Sequence, residues 1–79
     1  MWGGEKDKAV LIRFGQNVAL LRRKAGLSQL ELALDTGISK SHISDIEKGR
    51  RNVSLVSLTR LARGLHVDIS ALLEGCLPL

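Results

Sequence analysis

The sequence predicts an all-α fold of five short helices around an aliphatic core. Apolar residues recur three and four positions apart through most of the chain, which is the spacing of one helix face, and no segment alternates strictly enough to form a strand. The single proline is Pro78, so no proline interrupts a helix before the C-terminal end. One Phe, one Trp and no Tyr leave Leu, Ile, Val and Ala to fill the core.

The first helix is predicted over residues 7–25. Phe14, Val18 and Leu21 recur at helical spacing, and Gly26 follows a basic run that suits a helix C-terminus. We expect residues 1–6 to form a flexible leader, residues 7–75 one folded domain and residues 76–79 a C-terminal tail. A single domain fits the length, because 79 residues suffice for one modest core.

Two short helices follow, joined by a sharp turn. Ser28, with Glu31 three residues later, has the pattern of a capping box and starts a helix that ends near Thr36. Gly37 can take a positive φ, so the chain turns there without a long loop. Ser39 is then the N-cap of the third predicted helix.

The last two helices are delimited by the same kinds of signal. Gly49 ends the third helix, Ser54 caps the fourth, and Gly64 is expected to stop it. Asp68 is the expected N-cap of a fifth helix, whose apolar residues are Ile69, Leu72 and Leu73.

Charge and cysteine content narrow the class of protein. The net charge is +4, and residues 40–63 carry six basic side chains against two acidic ones, whereas residues 64–79 are acidic. A basic middle indicates a polyanionic partner, and an acidic end indicates a different role for the C-terminus. The lone cysteine, Cys76, excludes an internal disulfide, and no apolar run is long enough to cross a membrane. We therefore expect a cytoplasmic protein with no membrane partner, in which Cys76 is an incidental thiol.

The second and third helices have the pattern of a helix-turn-helix, whose second helix enters the DNA major groove. Ala33 is the small residue needed where two helices cross closely, and Gly37 is the turn glycine. Ile43 and Ile46 face inward from the second helix of the pair. The side chains left facing outward are Lys40, Ser41, Ser44 and Asp45.

A set of residues in register along most of the chain matches a known family. They are Phe14-Gly15, Leu21-Arg22, Ala25-Gly26-Leu27-Ser28-Gln29, Leu32-Ala33, Gly37-Ile38-Ser39, Ile43-Ser44, Ile46-Glu47 and Arg51-Asn52. Through them the stretch 14–72 resembles the lambda-repressor/Cro-like helix-turn-helix family, and within it the small controller proteins of restriction–modification systems. The resemblance implies a five-helix lambda-repressor-like fold that binds double-stranded DNA, commonly as a symmetric homodimer.

The resemblance and the side-chain chemistry together indicate a DNA-reading surface. The residues expected to read base edges are Lys40, Ser41, Ser44, Asp45 and Arg51. Lys40 can donate to guanine O6 and N7, whereas Asp45 could accept from cytosine N4 or simply orient a neighbouring Arg. The residues expected to contact phosphates are Gln29, Ser39, His42, Lys48, Arg50 and Asn52.

Two structural roles are also implied by the resemblance. Arg22 and Glu47 match a pair that forms a buried or half-buried salt bridge between the first and third helices. The fifth helix and its flanks match a dimer interface, and a domain this small cannot bury every apolar side chain there. The expected interface residues are Val67, Ile69, Leu72 and Leu73.

We therefore predict a sequence-specific transcriptional regulator that binds pseudo-palindromic operators as a homodimer, and within that class a restriction–modification controller. Two alternatives stay open: an antitoxin that also binds a toxin protein, and a protein-interaction module that keeps the fold without reading DNA. An enzyme is not expected, because no nucleophile–base grouping is present. His42 and His66 lie far apart without a third ligand, so we expect no metal site. No ligand-binding domain fits beside the five helices, so we expect no cofactor or small-molecule ligand.

Overall fold

The computed structural model describes residues 4–77 and contains five helices and no strand within that range, which confirms the predicted all-α fold. The helices are α1 (Glu5–Lys24), α2 (Gln29–Thr36), α3 (Lys40–Glu47), α4 (Leu55–Leu65) and α5 (Ile69–Leu72). No helix among these residues is both long enough and apolar enough to cross a membrane.

The ends of the chain differ from the predicted leader and tail. Helix α1 begins at Glu5, two residues before the predicted start, so Glu5 and Lys6 are helical. Residues 1–3 of the predicted leader and residues 78–79 of the predicted tail lie outside the described residues. Cys76 was assigned to the tail, but its side chain is only 3% exposed and belongs to the core.

Serine caps set the starts of α2, α3 and α4, as the sequence predicts. Ser28 accepts a hydrogen bond from the backbone N–H of Glu31, whose carboxylate accepts one from the Ser28 N–H, completing the capping box. Ser39 and Ser54 each accept a hydrogen bond from a backbone N–H three residues later. Gly37 ends α2 with φ 73°, the left-handed conformation that the sharp turn requires.

Gly64 does not stop α4, contrary to the prediction. The helix continues through it to Leu65, and His66 is the C-cap, in the left-handed conformation with φ 57°. Gly64 instead lies where α4 crosses α2: a Cβ atom at Gly64 would come within 2.7 Å of the Thr36 Cγ2 atom. A glycine inside a helix can serve close packing rather than termination, and here it does so.

The core is a single aliphatic cluster to which all five helices contribute. Its buried members include Val18, Leu32, Ile43, Ile46, Leu61 and Leu72. Helix α1 lies so close to α3 that a Cβ atom at Gly15 would come within 2.7 Å of the carbonyl oxygen of Glu47. This contact fixes α3 against the longest helix of the domain.

A buried asparagine fastens the C-terminal end of the chain to α1. The Asn17 side-chain amide donates to the carbonyl oxygens of Leu72 and Glu74, both at 2.8 Å, and Arg13 Nε donates to the Glu74 oxygen at 3.1 Å. Burial raises the pKa of the neighbouring Cys76 thiol, and the charge of Arg13 opposes this effect without cancelling it. The thiol is therefore held protonated inside the fold.

Candidate nucleic-acid interface

Helix α3 presents a polar outer face opposite its buried isoleucines. Ile43 and Ile46 are at most 1% exposed. Ser41, Ser44 and Lys48 follow one another at spacings of three and four, which places them on one side of the helix. Lys40 and Ser41, in the first turn, are exposed, and Ser44 is half-buried. The residues expected to read bases from α3 thus share one accessible face.

Asp45 pairs with the arginine that follows the helix. The Arg51 Nε atom lies 3.8 Å from the Asp45 Oδ2 atom, and the two side chains are 50% and 38% exposed. This separation is too long for a hydrogen bond, and so exposed a pair contributes little to stability. Of the two roles considered for Asp45, orienting a neighbouring arginine fits this geometry.

The loop after α3 carries the remaining cations of this surface. Lys48, Arg50 and Asn52 are all exposed, as phosphate contacts require. The loop is anchored at its start, because the Arg50 N–H donates to the Asp45 carbonyl oxygen at 2.9 Å. Val53, at its far end, packs against the core.

The N-terminus of α2 carries two backbone N–H groups that its capping box does not use. The capping box uses the backbone N–H groups of Ser28 and Glu31, whereas those of Gln29 and Leu30 make no hydrogen bond within residues 4–77. Free N–H groups and the positive end of the helix dipole favour a phosphate at such a position.

Three side chains beneath this helix end form one network. Arg22 donates from Nε to Glu47 Oε2 at 2.7 Å and from Nη2 to Glu47 Oε1 at 3.0 Å, so the pair joins α1 to α3. The two side chains are 11% and 7% exposed. Gln29 Nε2 also donates to Glu47 Oε1, at 3.0 Å. One of the two amide hydrogens of Gln29 is therefore used inside the protein, a contact that no local pattern in the sequence predicts.

The network controls the ionisation of Glu47. Burial of the carboxylate opposes its charge, but the hydrogen bonds from Arg22 and Gln29 and the positive charges of Arg22 and Arg23 outweigh it, so the pKa of Glu47 is lowered. The hydrogen bond to Glu47 likewise raises the pKa of Arg22, against the effect of its burial. The pair is thus fully ionised at neutral pH.

Two of the expected phosphate-contacting residues lie at the start of α3. The Ser39 hydroxyl caps the helix by accepting from the His42 N–H at 3.2 Å, and it lies 3.4 Å from the Ser41 hydroxyl. The side chain of His42 is half-buried at the flank of the exposed face. The Ser39 oxygen is therefore committed to the helix end, and either hydroxyl of the Ser39–Ser41 contact can be the donor.

The basic block of the sequence is divided between two surfaces. Its α3 and loop members lie on the exposed face of α3 and in the loop that follows it. Arg60 and Arg63 instead lie on α4. With Asp35 and His66 they line a depression beside the turn between α2 and α3. A charge count along the chain could not separate the two groups, because the separation depends on where α4 packs.

The predicted dimer residues do not all reach the surface. Leu72 is fully buried in the core, so its assignment to an interface is wrong: the side chain points inward from α5. Leu73 is 43% exposed, and Val67 and Ile69 are half-buried at the edge of the core. Val67 and Ile69 line a groove between α4 and α5 together with Thr59, Ala62, Arg63, His66 and Asp68.

Several exposed apolar residues were not anticipated. Leu34 is 75% exposed and lies one turn after Leu30, which is 52% exposed. Leu55 and Val56, at the start of α4, are 73% and 60% exposed. Within residues 4–77 no three His, Cys, Asp or Glu side chains come together as metal ligands would.

The chain is similar in sequence to known helix-turn-helix proteins. Residues 18–72 match the model of the family HTH_3, described as helix-turn-helix. Control protein C.MunI of a Mycoplasma species is 41% identical over 64 residues, which cover 80% of this chain and 86% of the relative. Control protein C.BamHI of Bacillus amyloliquefaciens is 38% identical over 66 residues, which cover 82% of each protein.

A solved structure shares both fold and sequence with the chain. The restriction-modification controller protein C.AhdI from Aeromonas hydrophila superposes with a TM-score of 0.77 and is 42% identical. The match covers 78% of this chain and 94% of that protein. The likeness therefore extends over nearly the whole of that controller.

Proposed function

We propose that this chain, which belongs to the HTH_3 helix-turn-helix family, is a sequence-specific regulator of transcription that binds pseudo-palindromic DNA as a homodimer in the cytoplasm. Its similarity to controller proteins supports a controller of a restriction–modification system within that class. The observation that carries the proposal is the exposed polar face of α3, bordered by the cationic loop at residues 48–52.

In this proposal, residues in the first turns of α3 contact the base edges. Lys40 would donate to guanine, and Ser41 and Ser44 would add less selective hydrogen bonds from the same face. Arg51, oriented by Asp45, would reach the edge of the groove beyond the helix. Asp45 itself keeps phosphates away from the centre of the face, because its charge repels them.

Phosphate contacts border that face on two sides. Gln29 and the free N–H groups of α2 would hold the backbone on one side, and Lys48, Arg50 and Asn52 would hold it on the other. Ser39 and His42, at the start of α3, would add further contacts. Contacts of this kind fix the register on DNA without carrying sequence information.

The groove between α4 and α5 supports the homodimer. A two-fold interface must be self-complementary, since each copy presents the same surface. Ala62, Val67 and Ile69 supply apolar surface in this groove, and it also carries one cation, Arg63, and one anion, Asp68. A second copy would set Arg63 of each protomer opposite Asp68 of the other. The exposed Leu73 lines a separate depression with Val10, Phe14 and Leu58, and the partner would also have to cover it.

An antitoxin is the second candidate, and one observation favours it. Leu30 and Leu34 form an exposed apolar pair on α2 away from the groove. A protein partner could cover such a pair. Co-purification with the product of a neighbouring gene would support the antitoxin, whereas a neighbouring methyltransferase and endonuclease would support the controller.

The function is tested by titrating the protein against duplex DNA from upstream of its own gene at several salt concentrations. Arg50→Ala should weaken binding to all sequences and flatten the slope of log affinity against log salt by about one. Lys6→Ala removes the same charge from the first turn of α1 and should leave the slope unchanged. Equal, salt-independent binding by all three proteins would exclude the proposed interface.

The homodimer is tested separately by sedimentation at micromolar concentration. Leu73→Glu should shift the protein toward monomer and weaken operator binding. Leu34→Glu, which places the same charge at an exposed leucine of α2, should not. A wild-type protein that sediments as a monomer, or a Leu73→Glu variant that dimerises normally, would refute the interface.

A further inference from the structure

Glu47 lies directly beneath the proposed phosphate contact of α2. Its Oε1 atom accepts from both Arg22 Nη2 and Gln29 Nε2, each at 3.0 Å. Arg22 also donates from Nη1 to the Leu27 carbonyl oxygen at 3.0 Å, which ties the turn before α2 to the same network. Thus α1, α2 and α3 meet at one carboxylate, and the turn joins them through the Arg22 guanidinium.

The carboxylate determines which way the Gln29 amide points. A carboxylate only accepts hydrogen bonds, so the NH₂ end of the amide must face Glu47 and the carbonyl end must face away. An NH₂ group carries two hydrogens, and Glu47 takes one of them. The second makes no hydrogen bond within residues 4–77. Phosphate oxygens are also acceptors, so this second hydrogen is the one that a phosphate can use.

Arg22 makes the arrangement compatible with an anion. A lone carboxylate under a phosphate site would repel the phosphate, because like charges in a partly buried setting interact strongly. The bidentate contact from Arg22 neutralises Glu47 at 2.7 and 3.0 Å. The carboxylate can therefore orient Gln29 without opposing the ligand.

We propose that Glu47 is a positioning residue for DNA binding: it fixes the Gln29 amide so that one N–H points to a phosphate of the duplex. The inference rests on the proposed DNA-binding function and adds to it a coupling between the ion pair and the DNA surface. Glu47 itself does not touch DNA. Its effect on affinity passes through Gln29.

The test is to measure the cost of Gln29→Ala for duplex affinity in three backgrounds. In the wild-type chain the substitution should weaken binding about tenfold, the loss of one hydrogen bond to a charged group. In Glu47→Gln, whose carbonyl can replace Oε1 as the acceptor, the cost should stay similar. In the double variant Arg22→Met with Glu47→Met, which removes the acceptor and leaves no unpaired charge, the cost should fall to about twofold or less.

Thermal melts of every variant run in parallel, so that affinities are compared only at temperatures where the proteins are folded. An equal cost of Gln29→Ala in all three backgrounds would overturn the positioning role while leaving DNA binding intact. No cost in the wild-type background would overturn it too, because Gln29 would then make no phosphate contact. Failure of the wild-type chain to bind any duplex is a different result, and it would refute the proposed function itself.

Discussion

Replacing Glu47 by alanine should destabilise the domain strongly, because it strands a buried positive charge. The Arg22 side chain is only 11% exposed, and it would lose both of its hydrogen bonds to the carboxylate. Its remaining bond, to the Leu27 carbonyl oxygen, cannot balance the charge. Removing one partner of a buried pair costs roughly 3–5 kcal/mol.

That cost is large for a domain of this size. Small domains unfold with a free energy of roughly 0.05–0.15 kcal/mol per residue, or about 4–12 kcal/mol for a chain this long. In domains of this size each kcal/mol lowers the melting temperature by about 4–8 °C. A loss of about 3 kcal/mol therefore lowers the melting temperature by at least about 12 °C. If the wild-type stability lies near the lower end of its range, the variant would unfold near physiological temperature.

A double variant tests whether the stranded charge of Arg22 causes the loss of stability. Adding Arg22→Met to Glu47→Ala should recover part of the loss, because the lone buried guanidinium is the costly species and not the absent pair. Thermal and urea unfolding followed by circular dichroism measure both changes. If Glu47→Ala melted like the wild-type protein, the pair would lie in solvent and this reasoning would fail. A double variant less stable than the single one would refute the role assigned to the stranded charge.

Three further predictions follow from the same contacts. Gly15→Ala should cost about 1–3 kcal/mol, because its Cβ atom would meet the Glu47 carbonyl oxygen at 2.7 Å, whereas Gly4→Ala, with nothing within 4 Å, should melt like wild type. The pKa of Glu47 is lower in the folded than in the unfolded chain. Its contribution to stability is therefore complete above the unfolded pKa near 4.5 and is lost as the pH falls through the lower pKa of the folded state. Acid unfolding curves of the Arg22→Met, Glu47→Ala double variant should lack that loss. Cys76 should react with a thiol-specific reagent at neutral pH only as the protein unfolds, since burial raises its pKa; rapid labelling of the native protein would contradict its place in the core.

The features that the sequence predicted well are those with local causes. The starts of α2, α3 and α4 follow from serine caps, whose hydrogen bonds span only three residues. The turn at Gly37 follows from one conformational requirement. The outward face of α3 follows from two isoleucines at a spacing of three.

The errors have long-range causes. Gly64 resembles a helix stop when only its neighbours in sequence are considered, but its role is set by Thr36, on another helix. Leu72 and Leu73 cannot be told apart by periodicity, because α5 has only four residues and the two leucines are adjacent. The bond between Gln29 and Glu47 joins residues 18 positions apart and depends on how α2 packs against α3.

The most direct test of the account is selection of bound sequences from a random pool of duplex DNA, using the wild-type protein and Lys40→Ala side by side. The wild-type protein should enrich a two-fold-symmetric site whose half-sites lie one turn apart, about 34 Å between centres. Lys40→Ala should relax the preference at one base pair of each half-site and leave the spacing unchanged. If both proteins enriched the same motif with the same stringency, the assignment of α3 as the reading helix would be contradicted. If the wild-type protein enriched no motif, sequence-specific binding itself would be contradicted.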